Sequence, residues 1–244
     1  MKVIVNADDF GYSKGQNIGI LESFKDGIVS STSLMVNMEG FEHAIKLMKE
    51  NKELSVGIHL VMTASKPILK GHKTIVDKKG FFIRDMNIIE KADPEEIKRE
   101  YKAQVNKFLD TGFKPTHIDF HVGATYNQYL IAIEIAKELN IPLRGMNEFY
   151  ENLLEKEGVK HSKNFIEDFY DEGVSLENLK DIFKNNKDKN LIEIMTHPAY
   201  VDYILLNGSS YNIKRAEELK ILTSKELKEF IKSNNIELVS YKNI

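Results

Sequence analysis

The sequence predicts an α/β fold, an irregular (β/α) barrel of seven strands, and three observations predict it. Short apolar runs rich in β-branched residues alternate with helical patterns about seven times, as a parallel sheet with helical crossovers requires. No glycine-rich phosphate loop follows the first strand, which weakens the case for an open dinucleotide-binding sheet. Acids and histidines recur at the C-terminal ends of the strand segments, the rim on which parallel barrels carry their chemistry.

The first strand, Val3 to Ala7, is an apolar run that ends abruptly in Asp8-Asp9-Phe10-Gly11. Gln16 to Asp26 reads as a helix with Ile18, Leu21 and Phe24 on one face and Gly27 as its stop. Ser31 to Val36 is a second strand, and Gly40 to Asn51 a helix with Phe41, Ala44, Ile45 and Met48 inward. Leu54 to Val61 is a third strand and carries His59. From Thr63 to Ala92 no clear period remains, which is long for a plain connection and suggests a lid or insertion over a substrate.

Asp93-Pro94-Glu95-Glu96 starts a helix that runs to about Leu109, with an N-cap, a proline at N1 and acids in the first turn. Thr116 to Val122 then places His117, Asp119 and His121 on one face of a strand by alternation. A helix over Asn127 to Leu139 and a short strand over Ile141 to Met146 carrying Arg144 follow. Glu151 to Gly173 has no decisive pattern. Leu176 to Lys187 is helical, Leu191 to Thr196 is a strand running into His197-Pro198, Ser224 caps a last helix, and Ile236 to Ser240 closes the set.

One domain over 1–244 is the expected organisation. The 42% hydrophobic content supports a substantial core, and a net charge of −3 leaves no footprint for nucleic acid or an anionic membrane. No apolar stretch approaches the length of a membrane span, and the N-terminus enters a strand directly, so a cytoplasmic protein is expected. Cysteine is absent, so any metal must be held by histidine and carboxylate.

Adjacent carboxylates repel, and a strand that delivers two of them to one place invites a cation. Asp9, His59 and His121 together would make a two-imidazole, one-carboxylate site for a divalent metal. Asp8 would remain beside it as a base. Because neighbouring strand residues face opposite ways, both aspartates reach one site only if the chain bends there, and Gly11 is the residue expected to permit it. His117 and Asp119 read first as interior structure or as support for the ligands. Tyr200, Tyr203 and Tyr211 follow His197 in an irregular loop and could stack on sugar rings. His43, His72 and His161 fall outside the pattern.

Asn6-Ala7-Asp8-Asp9-Phe10-Gly11 with Ser13-Lys14-Gly15-Gln16-Asn17 resembles the opening of the YdjC-like carbohydrate deacetylases, whose type member acts on chitooligosaccharides. The resemblance continues in order through Gly57-Ile58-His59-Leu60, Lys114 to Asp119, Leu143-Arg144, Met195 to Ala199 and Arg215 to Ser224. It implies a metal-dependent N-deacetylase on a barrel like that of the polysaccharide deacetylases, with Asp9, His59 and His121 as ligands of one Mg²⁺ or Zn²⁺ ion. It also implies a homodimer and an acetylated amino sugar, in mono- or short oligosaccharides, as substrate. In that frame Asp8 is the base, His197 the acid for the departing amine, and Arg144 the residue that orients Asp8. The chain departs from the family where members commonly carry several histidines after the fourth-strand aspartate. Here the run is His121-Val122-Gly123-Ala124-Thr125, which keeps only the first. Two other readings use the same residues: a metal-dependent sugar isomerase or oxygenase on this barrel, and a sugar-binding homologue without turnover.

Overall fold

The computed structural model describes residues Met1–Ile244. Seven strands form one parallel sheet: β1 (Lys2–Phe10), β2 (Ser31–Leu34), β3 (Val56–Leu60), β4 (Ile118–Phe120), β5 (Phe165–Ile166), β6 (Leu191–Thr196) and β7 (Glu237–Leu238). Neighbours run β4-β3-β2-β1-β6-β5, and β7 pairs the first residues of β1 on the edge that β2 occupies further along. One-residue parallel bridges from Ile118 to Leu143 and from Leu143 to His161 link β4 towards the stretch containing β5, so the sheet curls into an irregular barrel. The segment expected to be a strand over Ile141 to Met146 is therefore reduced to a bridge at Leu143. Pro142 breaks the ladder there because it has no N–H to donate.

Ten helices surround the sheet: α1 (Lys14–Lys25), α2 (Phe41–Glu50), α3 (Met86–Ile89), α4 (Pro94–Leu109), α5 (Tyr126–Leu139), α6 (Glu148–Glu157), α7 (Leu176–Asn185), α8 (Tyr203–Gly208), α9 (Ile213–Leu222) and α10 (Lys225–Ser233). Local chemistry sets their starts. Ser13, Asp93, Thr125, Ser175 and Ser224 each accept a backbone N–H of the first turn, and Thr125 with Gln128 completes a reciprocal capping box. The undecided stretch 151–173 contains the end of α6, β5 and a 3₁₀ turn at Asp171–Gly173.

Most apolar side chains lie between sheet and helices, in one cluster that includes Val3, Val5 and Ala7 of β1. In α2 the inward residues are Phe41, Ala44, Ile45 and Met48, as the 3.6-residue period predicts. Helix α1 is different. Its buried face is Gly15, Gln16, Asn17, Gly19, Ile20 and Ser23, while Ile18 is 46% exposed. A Cβ on Gly19 would lie 2.5 Å from Ala199 Cα, so backbone contact rather than bulk decides which face of α1 turns inward.

The inside of the barrel is polar. Asn6, Asp8, Ser33, His59, His117, Asp119, Arg144 and Glu193 are all buried there or at its mouth. Its lower end is stopped by Ile4, Val239 and Tyr241, and the Tyr241 ring stacks on His117 at 3.6 Å between centroids. His117 in turn needs the bare backbone of Gly57, where a Cβ would come within 2.3 Å of the imidazole. Gly57→Ala is therefore expected to cost about 1–3 kcal/mol by overpacking. Urea unfolding measures it, and a loss below about 0.5 kcal/mol would contradict the packing of His117.

Candidate active site

The end of β1 determines what the site can be. From Ala7 to Phe10 that strand advances three residues while β2 advances two, from Thr32 to Leu34, which is a β-bulge with one extra residue. Asp9 sits in the bulge with φ 69°. This left-handed conformation costs an L-residue about 1–2 kcal/mol, and aspartate is among the residues that tolerate it best. Asp8 shares the interior face with Asn6, whose Nδ2 donates to Asp8 Oδ1 at 2.7 Å. The bulge brings Asp9 to the same side, so the chain bends at Asp8-Asp9 as the paired aspartates require, two residues before Gly11. Gly11 is needed too: its φ is +92° and a Cβ would meet Met35 O at 2.6 Å.

Asp9 Oδ1 lies 2.9 Å from His121 Nδ1 and 3.3 Å from His59 Nε2. These three residues each offer a ligand atom within 4.8 Å of the others. Ligand bonds of about 2.0–2.2 Å set at right angles or wider separate neighbouring donor atoms by about 3 Å, so the observed spacings suit one ion. Asp9 Oδ2 is buried with no aligned hydrogen-bond donor, although Arg215 Nη2 lies 2.8 Å away. Asp8, His59 and Asp119 form a second group of possible ligands. That group suits a cation less well, because Arg144 lies against both aspartates and Asp119 already takes His59 Nδ1 at 2.8 Å. The Asp119 contact orients His59 so that Nε2 faces Asp9. With the imidazoles neutral, as ligation requires, formal charges agree: Asp8, Asp9, Asp119 and Glu193 face Arg144 and Arg215, which leaves two negative charges in a buried cluster.

Titration follows from these partners. Burial works against the charged form of His59, but the Asp119 carboxylate prevails and raises it to about 10. Burial opposes ionisation of Asp9 as well, yet His121 and Arg215 hold its carboxyl well below the usual range. Arg144 grips Asp8 with two hydrogen bonds of 2.8 Å and donates Nε to Glu193 at 2.8 Å. Tyr241 donates to the other oxygen of Glu193 at 2.6 Å. Asp8 is thus fixed by a guanidinium that is itself fixed.

His197 follows β6 and is buried with its Nδ1 unpartnered. Burial, reinforced by the charge of Arg215, lowers it to about 4, so the ring rests neutral. Its backbone N–H donates to Glu218, which also receives the Tyr211 hydroxyl. Burial raises the Glu218 carboxyl to about 8. His197 and Tyr211, together with Tyr12, Thr63, Arg84, Val122, Tyr170 and others, line a cleft of about 480 Å³.

Asp8, Asp9, His59, His121, Arg144 and His197 all line this cleft. Of the tyrosines after His197, only Tyr211 lines it; Tyr200 donates to Glu22 and Tyr203 is 79% exposed, so neither stands over the site. His43, His72 and His161 contact Asn17, Glu100 and the Val159 carbonyl, away from the cleft. Arg215 and Glu218 also belong to the site, although no strand-end pattern marks them. Their signal was a charged pair three residues apart on the face of α9 that also carries Leu219 and Leu222, a placement solvated charges rarely take. The 63–92 segment contributes Thr63, Ala64 and Arg84 to the cleft wall. It is tied to α4, where Glu96 accepts the N–H groups of Lys73 and Thr74, and Glu100 those of Ile68 and Leu69.

The family described as YdjC-like protein matches residues 2–233. A carbohydrate deacetylase of Clostridium beijerinckii is 44% identical over 247 residues, spanning 100% of both chains. A solved structure from Enterococcus faecalis V583, described as a proposed cellobiose-phosphate cleavage protein, is 32% identical with a TM-score of 0.94, covering 99% of this chain and 98% of that one. A family 4 acetyl xylan esterase of Clostridium thermocellum, solved with a cobalt ion, superposes with a TM-score of 0.54 at 10% identity, covering 100% of this chain and 89% of that one. That last likeness concerns the fold alone.

Glu218 gives a test of the site's electrostatics. Its folded pKa of about 8 lies above the ordinary 4.5, so the folded state holds a proton that the unfolded chain releases. Stability from this proton is full below about pH 4.5 and is lost as the pH rises towards 8. Glu218→Gln keeps the shape without the titration. Its unfolding temperature relative to wild type is expected to be more favourable at pH 8 than at pH 5, as thermal denaturation would measure; a gap independent of pH would contradict the buried, protonated carboxyl.

Proposed function

The chain belongs to the YdjC-like protein family, and from that premise we propose that it is a metal-dependent hydrolase removing acetyl groups from N-acetylated amino sugars. The observation that carries this reading is the bulged end of β1, which turns two adjacent carboxylates into one cleft and gives them different partners. Asp9, with His59 and His121, would hold a divalent ion, either Mg²⁺ or Zn²⁺. Such an ion supplies a Lewis acid that polarises the amide carbonyl and makes water more acidic.

Every other part of the reaction belongs to the protein. Asp8 accepts the proton of the attacking water, and Arg144 holds its carboxylate in one orientation from below. Amide cleavage needs that proton, or an equivalent one, on the departing nitrogen. His197 lines the cleft, and its imidazole is the group that would pass this proton to the amine. Glu218 and Tyr211 keep its backbone and ring in place. A binding protein without turnover would have no need of a base beside the ligands that is clamped through both oxygens.

Further expectations are a homodimer, which the family resemblance implies, a cytoplasmic location, and a covering role over the bound sugar for residues 63–92, a stretch long for a plain connection. No helix is long and apolar enough to cross a membrane.

The experiment is acetate release from di-N-acetylchitobiose. Wild-type protein stripped by a chelator is expected to release none, and added Mg²⁺ or Zn²⁺ to restore release. Asp8→Asn is expected to lower kcat by about 10²–10⁴ while the fold is kept. Metal-loaded wild type that releases no acetate from any N-acetyl sugar would overturn the reading.

A further inference from the structure

Seven residues other than glycine have positive φ, and six of them are Asp9, Ser65, Asn140, Asn164, Asp171 and Asn235. All six have short polar side chains, and aspartate and asparagine are the types that enter this region most readily. The seventh is Val122, with φ 62°. A β-branched side chain is among the least suited to that conformation. Burial does not compensate, because Val122 is 64% exposed. Gly123 follows with φ 79°, so the chain makes two left-handed steps directly after His121.

Val122 lies on the wall of the cleft, one residue from the imidazole that contacts Asp9. Ala64, Phe120, Met146, Phe165 and Met195 also line it, giving the cleft an apolar part beside its charged end. A strained, exposed, apolar residue at such a position is stabilised neither by its backbone nor by its packing. Strain of this kind collects where a side chain must meet a ligand.

We infer that Val122 is a specificity-determining residue whose isopropyl group packs on the C–H face of the sugar ring that presents its acetamide to the Asp9, His59 and His121 cluster. The inference rests on the deacetylase reading and adds the substrate contact to it. Val122 offers no hydrogen bond, so the ring portion above it is recognised by its apolar face and not by its hydroxyl groups. The contact forms with the substrate as a whole and is retained through the reaction, so its removal weakens binding and leaves the chemical step intact.

Two substitutions separate contact from strain. Val122→Thr keeps the branched shape and the strain while exchanging a methyl for a hydroxyl. It is expected to raise KM for di-N-acetylchitobiose about fourfold, the worth of one buried carbon, with kcat unchanged. Val122→Asn suits the left-handed backbone, so the unfolding temperature is expected to rise by about 2–4 °C while KM rises more than in the threonine variant. KM within twofold of wild type in both variants would overturn the inference, and so would a kcat loss without a KM change. An asparagine variant that unfolds at lower temperature would overturn it too, by making the valine a packing residue.

If wild type releases no acetate, the same three proteins are compared by calorimetric binding of di-N-acetylchitobiose after loading with Mg²⁺ or Zn²⁺. Weaker binding by both variants would then support the contact while the deacetylase reading fails. Equal binding, or no binding by wild type, would remove the contact as well.

Discussion

The site depends on one backbone feature, the extra residue that bends β1 at Asp9. In a regular strand Asp8 would face the barrel interior and Asp9 the helices, among Val3, Val5 and Ala7. A lone carboxylate in that apolar layer would be costly to bury. The bulge removes the conflict by turning Asp9 inward, at about the cost of one left-handed residue. It also creates a new problem, since two adjacent acids now share one cleft. The surrounding structure resolves it with cations and donors.

Each aspartate receives its own guanidinium. Arg144, anchored by Glu193 and Tyr241 from the floor of the barrel, takes both oxygens of Asp8. Arg215, bonded through Nε to the Tyr211 carbonyl and through Nη1 to Gln16, approaches Asp9 from the opposite side with only one close contact. Asp8 is thereby closed on its lower side, whereas Asp9 keeps an oxygen without an aligned donor beside two imidazoles. Different neighbours, and no difference in residue type, separate the two carboxylates into a prospective base and a prospective ligand.

The alternation of strands and helices was legible in the sequence because it depends on local periods and caps, as α2 and α4 illustrate. Asp8, Asp9, His59, His121 and His197 were legible as strand-end residues, and the structure brings them to one cleft. Other features were not legible. The inward face of α1 is set by glycine contacts with Ala199 and Tyr200 from the far end of the chain, which no local period reports. Arg215 and Glu218 enter the site from a helix rather than a strand end, so rim reasoning passed over them. A bend at Asp8-Asp9 was legible, but its form, one extra residue against β2, depends on strand register, a tertiary property. Val122 was visible as a departure in composition, but its strain is a backbone fact.

Asp9, His59 and His121 are expected to bind one divalent ion together, and metal content after equilibrium dialysis against Zn²⁺ or Mg²⁺ measures it. One ion per chain is expected in wild type, with its loss in Asp9→Ala and His59→Ala and its retention in His197→Ala. Equal occupancy in all four folded proteins, or an ion lost only when His197 is replaced, would contradict it.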